Sequence, residues 1–409
     1  MKPWRATTGC PVPKLRTNNS TRWGSALIFD RNLYGHSSIG GDTEAERDGE
    51  DQESNEILLH ERIVLRRVGS GPAFHGYSLG VNDLDVCTLR SVTSSPHRHR
   101  GWYRVLAWSV LAFNVLVVLG GSVVRATGSG DGCGASWPKC TGRIFPVNPA
   151  VETVIEFTHR LMSGLAIVGV VALFIFAIRL YGRGHRVRRA AGASLVLLLV
   201  ESLLGASLVI FGWVAQDASI GRMIVVPLHL TNTYLLLGAL ASTAWWSSGN
   251  PGPVSPADLR TVRRLSIGAI GLLVVGAMGA LNALGDTLYP AASFFSGVSD
   301  EFSGDAPWLV QVRVIHPVVA VAVGFGVAYL VMRVAAVSGD GTKRIGAVVG
   351  GLIVLQIFVG LANVMLAAPL ETQVVHLAIA DTMWIAYVLF VTSRLGEREV
   401  SEPAMETAA

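Results

Sequence analysis

The chain has 409 residues, of which 51% are hydrophobic and 15% are charged. Because an average soluble domain carries about 25% charged residues, this composition excludes an ordinary soluble domain and indicates a protein of the lipid bilayer. The net charge of +4 gives no reason to expect a nucleic acid as a partner, and four cysteines are too few for a disulfide scaffold.

Residues 1–100 form a polar N-terminal extension that differs from the rest of the chain. They contain no apolar run long enough to cross a membrane, and the segment 41–56 is almost entirely polar, which is typical of disorder. The first 30 residues lack the apolar core of a secretory signal peptide. We predict a cytoplasmic extension without fixed structure, or a translation start assigned upstream of the true one. A folded regulatory domain is the remaining alternative.

Eight apolar segments follow, each long enough to cross the bilayer, which takes about 20 residues. The predicted spans are 103–124, 153–181, 190–212, 223–247, 265–285, 309–336, 346–368 and 372–394. The predicted fold class is therefore an all-α membrane protein with eight transmembrane helices, which ends in a cytoplasmic tail at 395–409.

Lys and Arg are concentrated in the loops on one side of these spans, which the positive-inside rule identifies as cytoplasmic. The loops after the second, fourth and sixth spans carry Arg183, Arg186, Arg188, Arg189, Arg260, Arg263, Arg264, Lys343 and Arg344. We predict a multi-pass protein of the cell membrane. Both termini are expected in the cytoplasm, and the loop between the first two spans outside.

The first four spans are repeated as the last four. The second span contains THRLMSGLA where the sixth contains IHPVVAVAV, and the third contains ESLLGASLV where the seventh contains QIFVGLANV. Since each repeat has an even number of spans, both halves have the same orientation. We predict two tandem, pseudo-symmetric four-helix bundles at 101–248 and 265–394, joined by a cytoplasmic linker at 249–264.

Four histidines lie inside predicted spans, all of them even-numbered: His159, His229, His316 and His376. Each is roughly five to seven residues from the outer end of its span, which corresponds to a depth of about 8–10 Å. Ionisable groups inside a membrane are costly and usually functional. Two facing imidazoles in one bundle suit the axial ligation of a heme. Zinc or copper would want more ligands, and hydrogen bonding between helices is the other alternative.

Charged residues next to these histidines differ between the halves. Glu156 precedes His159 by three residues and Arg313 precedes His316 by three, so each shares a helix face with its histidine. A carboxylate beside a heme can move protons, and the guanidinium of Arg313 or Arg160 can bind a propionate. We therefore assign the chemistry to the first half and a permanently held heme to the second. Alternatively, Glu156 only favours a helix N-terminus and Arg160 extends to the interface.

The roles of two further pairs of residues are left open by the sequence. Glu201 and Gln356 occupy matched positions in the third and seventh spans, where both could form hydrogen bonds within their bundles. Cys133 and Cys140 lie in the first outer loop, where an oxidising compartment favours a disulfide. Because the second half has no counterpart, a redox or substrate-handling role stands beside a stabilising one.

Taken together, these segments resemble the heme A synthase family, membrane enzymes that complete heme A for cytochrome oxidases. The matching pieces are GGSVVRATGSGDGCGASWPKC, EFTHR, LHLTNTYLLLG, IHP and VVHLAIAD. They lie within about 102–394, and the paired cysteines are similar to those of bacterial members. The resemblance implies an oxidoreductase that converts a ring methyl of heme O to a formyl group by successive hydroxylations, with water as the oxygen source.

The resemblance also implies roles for individual residues. His316 and His376 would hold the iron of heme b, the cofactor, in the second half. His159 and His229 would hold the iron of the substrate heme O, or of the product heme A, in the first half. Glu156 would support catalysis.

Expected partners are heme O, the heme O synthase (protoheme farnesyltransferase), a quinone or other electron acceptor, and the lipid bilayer; a homo-oligomer is left open. The alternatives are a b-type cytochrome in quinone-linked electron transfer and a heme carrier or insertion factor. Histidines at one depth argue against the cytochrome, which would place its hemes at two depths.

Small residues such as Gly164, Gly169, Gly205 and Gly360 would let helices approach a flat porphyrin.

Overall fold

The computed structural model describes residues 101–253 and 258–397. The predicted N-terminal extension and residues 398–409 of the predicted tail lie outside the described residues. Within them, eight helices are long and apolar enough to cross a membrane, so the chain is a multi-pass membrane protein. These helices are α1 (Gly101–Ala126), α2 (Val151–Leu180), α3 (Arg186–Ile210), α4 (Ile220–Ser247), α5 (Leu259–Leu288), α6 (Ile315–Ala336), α7 (Asp340–Met365) and α8 (Leu370–Leu395).

Several helices begin earlier than their apolar runs predict, because polar first turns precede the apolar residues. α5 begins at Leu259 rather than at residue 265, so it takes up part of the linker predicted at 249–264. The carboxylate of Asp258 accepts hydrogen bonds from the N–H groups of Arg260 (3.0 Å) and Thr261 (3.2 Å) and caps this start. Hydrogen bonds from the Thr261 hydroxyl and from the Arg260 N–H hold the pKa of Asp258 below its usual value.

At the turn between α7 and α8, the apolar pattern predicts a longer helix than the structure has. α7 ends at Met365, three residues before the predicted end at 368. Ala367 and Ala368 have φ angles of 57° and 54°, which belong to the left-handed region and reverse the chain. Because both residues are apolar, the hydropathy pattern continues through the turn and cannot detect it.

The segment that enters α6 is irregular. A short helix at Trp308–Gln311 is followed by a 3₁₀ turn at Val312–Val314, which leads directly into α6. In a continuous α-helix the ring of Pro317 would clash with the carbonyl of Arg313, four residues earlier, which accounts for the change of helix type at this place. Arg313 and the histidine that follows it therefore lie on either side of a helix junction.

The helices pack in the same order in both halves. α1 contacts α2, α2 contacts α3, α3 contacts α4, and α4 returns to α1; α5 to α8 follow the same circuit. Between the halves, α4 packs against α5 and α8, and α8 also packs against α1. This order agrees with the two four-helix groups that the sequence repeat predicts.

The contact between α4 and α8 is tight and largely aromatic. The indole Nε1 of Trp384 donates a hydrogen bond to the backbone carbonyl of Tyr234 (2.5 Å), and the two rings pack with their centroids 5.8 Å apart. Gly276 of α5 lies directly against the Tyr234 ring, where a Cβ would come within 2.4 Å of it. Glycine is therefore required there for the two halves to approach each other.

Arg125, near the end of α1, joins the two halves at their outer end. Its Nη1 donates to the Ala283 carbonyl (2.5 Å) and to the Thr287 hydroxyl (2.6 Å), both on α5. Its Nη2 donates to the side-chain oxygen of Gln373 on α8 (2.8 Å). Three polar groups of the second half thus depend on one cation of the first half.

We expect Arg125→Leu to lower the stability of the protein by about 1–3 kcal/mol, because it removes the three hydrogen bonds of the guanidinium and leaves the side-chain oxygen of Gln373 without this donor. The measurement is the unfolding midpoint in detergent, followed by intrinsic fluorescence. Arg179→Leu is the control, since Arg179 also lies on a spanning helix but is exposed. An equal loss in both variants would show that Arg125 has no special part in joining the halves.

Candidate functional site

The four predicted ligands lie at one level of the fold. His159, His229, His316 and His376 are on α2, α4, α6 and α8, six to nine residues after the first residues of the corresponding spans. This is slightly deeper than the five to seven residues that the sequence predicts, because the spans begin earlier. Since all four helices run in the same direction, the imidazoles form a single layer.

The structure brings these histidines together in two pairs. His159 is within electrostatic reach of His229, and His376 is within reach of His316. In the first half α2 and α4 occupy opposite corners, because each packs against α1 and α3; α6 and α8 do the same with α5 and α7. Each half therefore holds two imidazoles on diagonally opposed helices.

Each imidazole lies against a glycine of the preceding helix. A Cβ built on these glycines would lie 3.1, 3.6, 3.0 and 2.9 Å from the Cε1 atom of the corresponding ring. The pairs are, in the same order, Gly121 with His159, Gly205 with His229, Gly279 with His316, and Gly360 with His376. A Cβ at Gly121, Gly279 or Gly360 would press on the ring, whereas one at Gly205 would be in ordinary contact with it, so three of the glycines restrict the place of the imidazole layer.

Of the four glycines named from the sequence, Gly205 and Gly360 belong to this layer. Gly169 instead packs against Val110, and a Cβ at Gly164 would meet nothing within 4 Å. The partners of the other two imidazoles, Gly121 and Gly279, were not singled out, although both lie in segments that the repeat aligns. A search for a glycine at the level of each histidine, on the preceding helix, would identify Gly121 and Gly279 from the sequence.

The nitrogens of these rings suit a heme. In all four, Nδ1 is buried and has no hydrogen-bond partner among the described residues, which is a costly state for a polar atom. Paired imidazoles against bare helix backbone suit a flat porphyrin with two axial nitrogens. No group of three or more His, Cys, Asp and Glu in residues 101–253 and 258–397 is placed to hold a bare metal ion.

Glu156 lies one turn outward from His159 and is almost fully buried, with 3% of its surface exposed. Its Oε2 accepts a hydrogen bond from the backbone N–H of Cys133 (2.7 Å). Its Oε1 accepts from Nε of Arg160 (2.9 Å) and from Nη2 of the same residue. The carboxylate is therefore held from two directions, by the outer loop and by its own helix.

The outer loop is fastened along one face of α2. Cys133 and Cys140 form a disulfide. Arg160 donates to the carbonyls of Ser136 (2.5 Å) and Lys139 (2.8 Å), which lie between these cysteines. The sequence predicts Arg160 as a propionate ligand or as a residue that extends to the interface; most of its N–H donors are instead engaged with Glu156 and this loop.

The second half has a different arrangement at the same level. Nη2 of Arg313 donates to the carbonyls of Gly285 and Tyr289, both at 2.5 Å, and its Nε lies 3.2 Å from a carboxylate oxygen of Asp286. Outside the spans, Glu301 is also within electrostatic reach of this guanidinium, while partial burial raises the pKa of Glu301 above its usual value. Each half thus has a buried ion pair near its imidazoles, but with different residues.

The two open positions, Glu201 and Gln356, both contact a histidine. Oε1 of Glu201 lies 3.2 Å from Nδ1 of His229, an ion-pair distance whose geometry is not that of a hydrogen bond. The side-chain nitrogen of Gln356 lies 3.1 Å from Nε2 of His376. The third and seventh helices therefore each supply a polar group to a histidine of the next helix.

Comparison with known proteins identifies the family. Residues 104–388, more than half of the chain, match the family described as cytochrome oxidase assembly protein. The chain belongs to this family.

Curated relatives agree with this family membership. A protoheme IX farnesyltransferase of Thermus thermophilus is 45% identical over 298 residues, which are 72% of this chain and 49% of the relative. A heme A synthase of Alkalihalophilus pseudofirmus is 42% identical over 98 residues, 24% of this chain and 33% of the relative. Another, from Halalkalibacterium halodurans, is 36% identical over 141 residues, 34% of this chain and 45% of the relative. The chain thus spans half or less of the length of these relatives.

We expect Gly360→Ala to weaken heme retention about tenfold or more, because the new methyl group would displace the His376 ring. The measurement is the ratio of heme absorbance to protein in the purified, detergent-solubilised protein. Gly351→Ala is the matched control, since Gly351 lies on the same helix and a Cβ there meets nothing within 4 Å. Full heme content in Gly360→Ala would contradict the part assigned to the glycine.

Proposed function

We propose that this protein is a heme A synthase, an oxidoreductase that converts a ring methyl of heme O to a formyl group. The observation that carries the proposal is the pair of glycine-backed imidazole sites, one in each half, with the buried carboxylate of Glu156 one turn from His159 in the first and Arg313 at the corresponding place in the second. The family membership and the relatives named heme A synthase support it.

The proposed reaction balances with water as the oxygen source. In the first stage a methyl C–H bond breaks and a C–O bond to water forms, which gives a hydroxymethyl group and releases two protons and two electrons. A second hydroxylation releases the same number and gives a geminal diol, which loses water to become the formyl group. Four electrons must therefore leave, for which two molecules of a quinone, or of another two-electron acceptor, suffice.

The two halves would divide this work. His159 and His229 are proposed to bind the substrate heme through its iron, beside Glu156. His316 and His376 are proposed to hold heme b, which would supply a one-electron redox centre when bound. An imidazole layer common to both halves would place the two hemes at one depth, so that electrons pass sideways between them rather than across the bilayer.

Glu156 is proposed as the group that receives protons from the substrate side. Its contacts leave a lone pair on Oε2, which accepts one hydrogen bond, and Arg160 and the Cys133 N–H keep the carboxylate in place beside His159. The Cys133–Cys140 disulfide would act on the reaction through this loop. Arg313 has N–H donors beyond those already engaged and stays a candidate for a heme propionate, with Arg160 the weaker candidate.

The surroundings of the protein are part of the proposal. The positive loops place both termini in the cytoplasm and the disulfide loop outside. The farnesyl tail of heme O partitions into lipid, so substrate would enter laterally between helices.

A heme O synthase is the proposed partner, which the Thermus relative supports: it carries the name protoheme IX farnesyltransferase, and this chain matches 49% of its length.

The proposal is tested by pigment analysis. The protein is expressed in a host that lacks heme A, with and without a heme O synthase, and its hemes are extracted and separated. We expect heme A only when heme O is supplied. Heme b alone, reducible by a quinol, would indicate a b-type cytochrome; loosely bound heme O without conversion would indicate a carrier.

We expect Glu156→Ala to retain bound heme but to lower heme A formation by at least about tenfold, since a positioned acid or base contributes about 10²–10⁴ to a rate. The measurement is heme A formed per heme bound. Thr153→Val is the control: it removes the hydrogen bond of Thr153 to the Gly132 carbonyl (2.7 Å), which also fastens the loop, and leaves the carboxylate intact. Equal losses in both variants would assign Glu156 to loop attachment alone.

A further inference from the structure

Glu201 of α3 is held in a fixed position beside His229. The side-chain nitrogen of Asn232 donates a hydrogen bond to its Oε2 (2.6 Å), and the hydroxyl of Thr233 donates to its Oε1. Asn232 is itself anchored, because it also donates to the Leu197 carbonyl (2.9 Å), and the single hydroxyl proton of Thr233 is shared between Glu201 and the His229 carbonyl, 3.0 Å away. The carboxylate cannot turn away from the imidazole without breaking several of these bonds.

The neighbours of Glu201 suit a negative charge. A carboxylate only accepts hydrogen bonds, and the amide nitrogen of Asn232 and the hydroxyl of Thr233 both donate to it. The third neighbour, Nδ1 of His229, is 3.2 Å from Oε1 and carries a proton whenever Nε2 is the ligating nitrogen. The charge therefore faces the nitrogen that a heme iron would not use.

The second half has no charge at the equivalent place. Gln356 precedes Gly360 by four residues, as Glu201 precedes Gly205, and both glycines contact a histidine ring. Gln356 meets His376 through a neutral amide, at 3.1 Å. The two imidazole pairs thus share their position and their glycines but differ by one negative charge next to a proposed ligand.

We propose that Glu201 is a positioning residue that, through His229, lowers the reduction potential of the heme in the first half below that in the second. A carboxylate close to the outer nitrogen of a ligating histidine helps to fix the ring and makes it a stronger electron donor, and Oε1 of Glu201 lies 3.2 Å from Nδ1 of His229. A stronger donor stabilises oxidised iron more than reduced iron, so the potential falls. This inference rests on the proposed division of the halves between substrate and heme b.

The difference in charge gives the electron transfer a direction. Electrons removed from the substrate heme move spontaneously to a centre of higher potential. Glu201 places a negative charge beside His229, whereas Gln356, at the matched position, is neutral and contacts Nε2 of His376, so the second half is that centre. The two sites would then be distinguished by the residue beside the ligand rather than by the ligands themselves.

The test is a redox titration of the purified, heme-loaded protein, followed by absorption and electron paramagnetic resonance. We expect Glu201→Gln to shift the first-half transition to higher potential and to change the g values of that heme. His159→Ala and His316→Ala, each of which removes one ligand, assign the transitions to the halves. An unchanged first-half potential in Glu201→Gln would overturn the proposal.

Two controls separate charge from structure. Thr233→Val removes a hydrogen bond to Glu201 but keeps the carboxylate, so we expect a much smaller shift than in Glu201→Gln. Gln356→Leu changes the matched position of the second half and should leave the first-half potential unaltered. Shifts in the first-half potential as large as that of Glu201→Gln, in either control, would indicate a general structural effect and refute the proposal.

The redox titration tests the role of Glu201 independently of whether the protein forms heme A. Potentials are measured on bound heme, whereas heme A formation is measured by pigment extraction. If the parent protein forms no heme A but Glu201→Gln still shifts the first-half potential, the proposed function fails and the tuning role stands. If heme A forms and the potential does not move, only the tuning role fails.

Discussion

The close contact between an imidazole and bare helix backbone is the constraint on which the rest of the structure depends. A histidine inside the membrane can approach its neighbouring helix this closely where that helix has no side chain, and a glycine lies against the ring in all four places. Because a Cβ would lie 3.1 Å or less from three of the rings, these contacts restrict the register between the helices at this level. The same contact therefore influences both the packing of the helices and the position of the proposed ligands, and it occurs in both halves.

On the side of the imidazole layer where α2 and α6 begin, the low polarity of the membrane determines how the charged groups are paired. Every strongly charged group there must find a partner or remain at high cost, and the two halves find different ones. In the first half the partner of Glu156 comes from its own helix and from the outer loop. In the second, Arg313 uses two carbonyls and Asp286 beside a helix junction. Shared ligands with different surroundings are what two hemes with different tasks would require.

The sequence predicts the features that depend on composition and period. Apolar runs are long and the repeat is clear, so the number of spans and their order could be derived from one chain. The exact helix ends could not, since the turn at Ala367 and Ala368 is itself apolar and Asp258 extends α5 into a polar segment. The contacts of Arg160 were also beyond the sequence: it neighbours His159 there, but the loop that occupies its donors returns from more than 20 residues away.

Glu201 shows what a repeat can reveal and what it cannot. Alignment of the halves identifies it as the charged counterpart of Gln356, but not what it contacts. Its contact with His229 depends on the rotation of α3 against α4, and the donors Asn232 and Thr233 are polar residues whose direction an apolar pattern does not indicate. The structure supplies this rotation, and with it the contact that the sequence left open.

Arg125 has a consequence for the history of the fold. A chain that repeats itself suggests an origin in one four-helix unit that once paired with a copy of itself. In the present protein, however, the guanidinium of α1 has its partners on α5 and α8. A first half separated from the second would retain this cation without those acceptors, so this contact makes each half depend on the other.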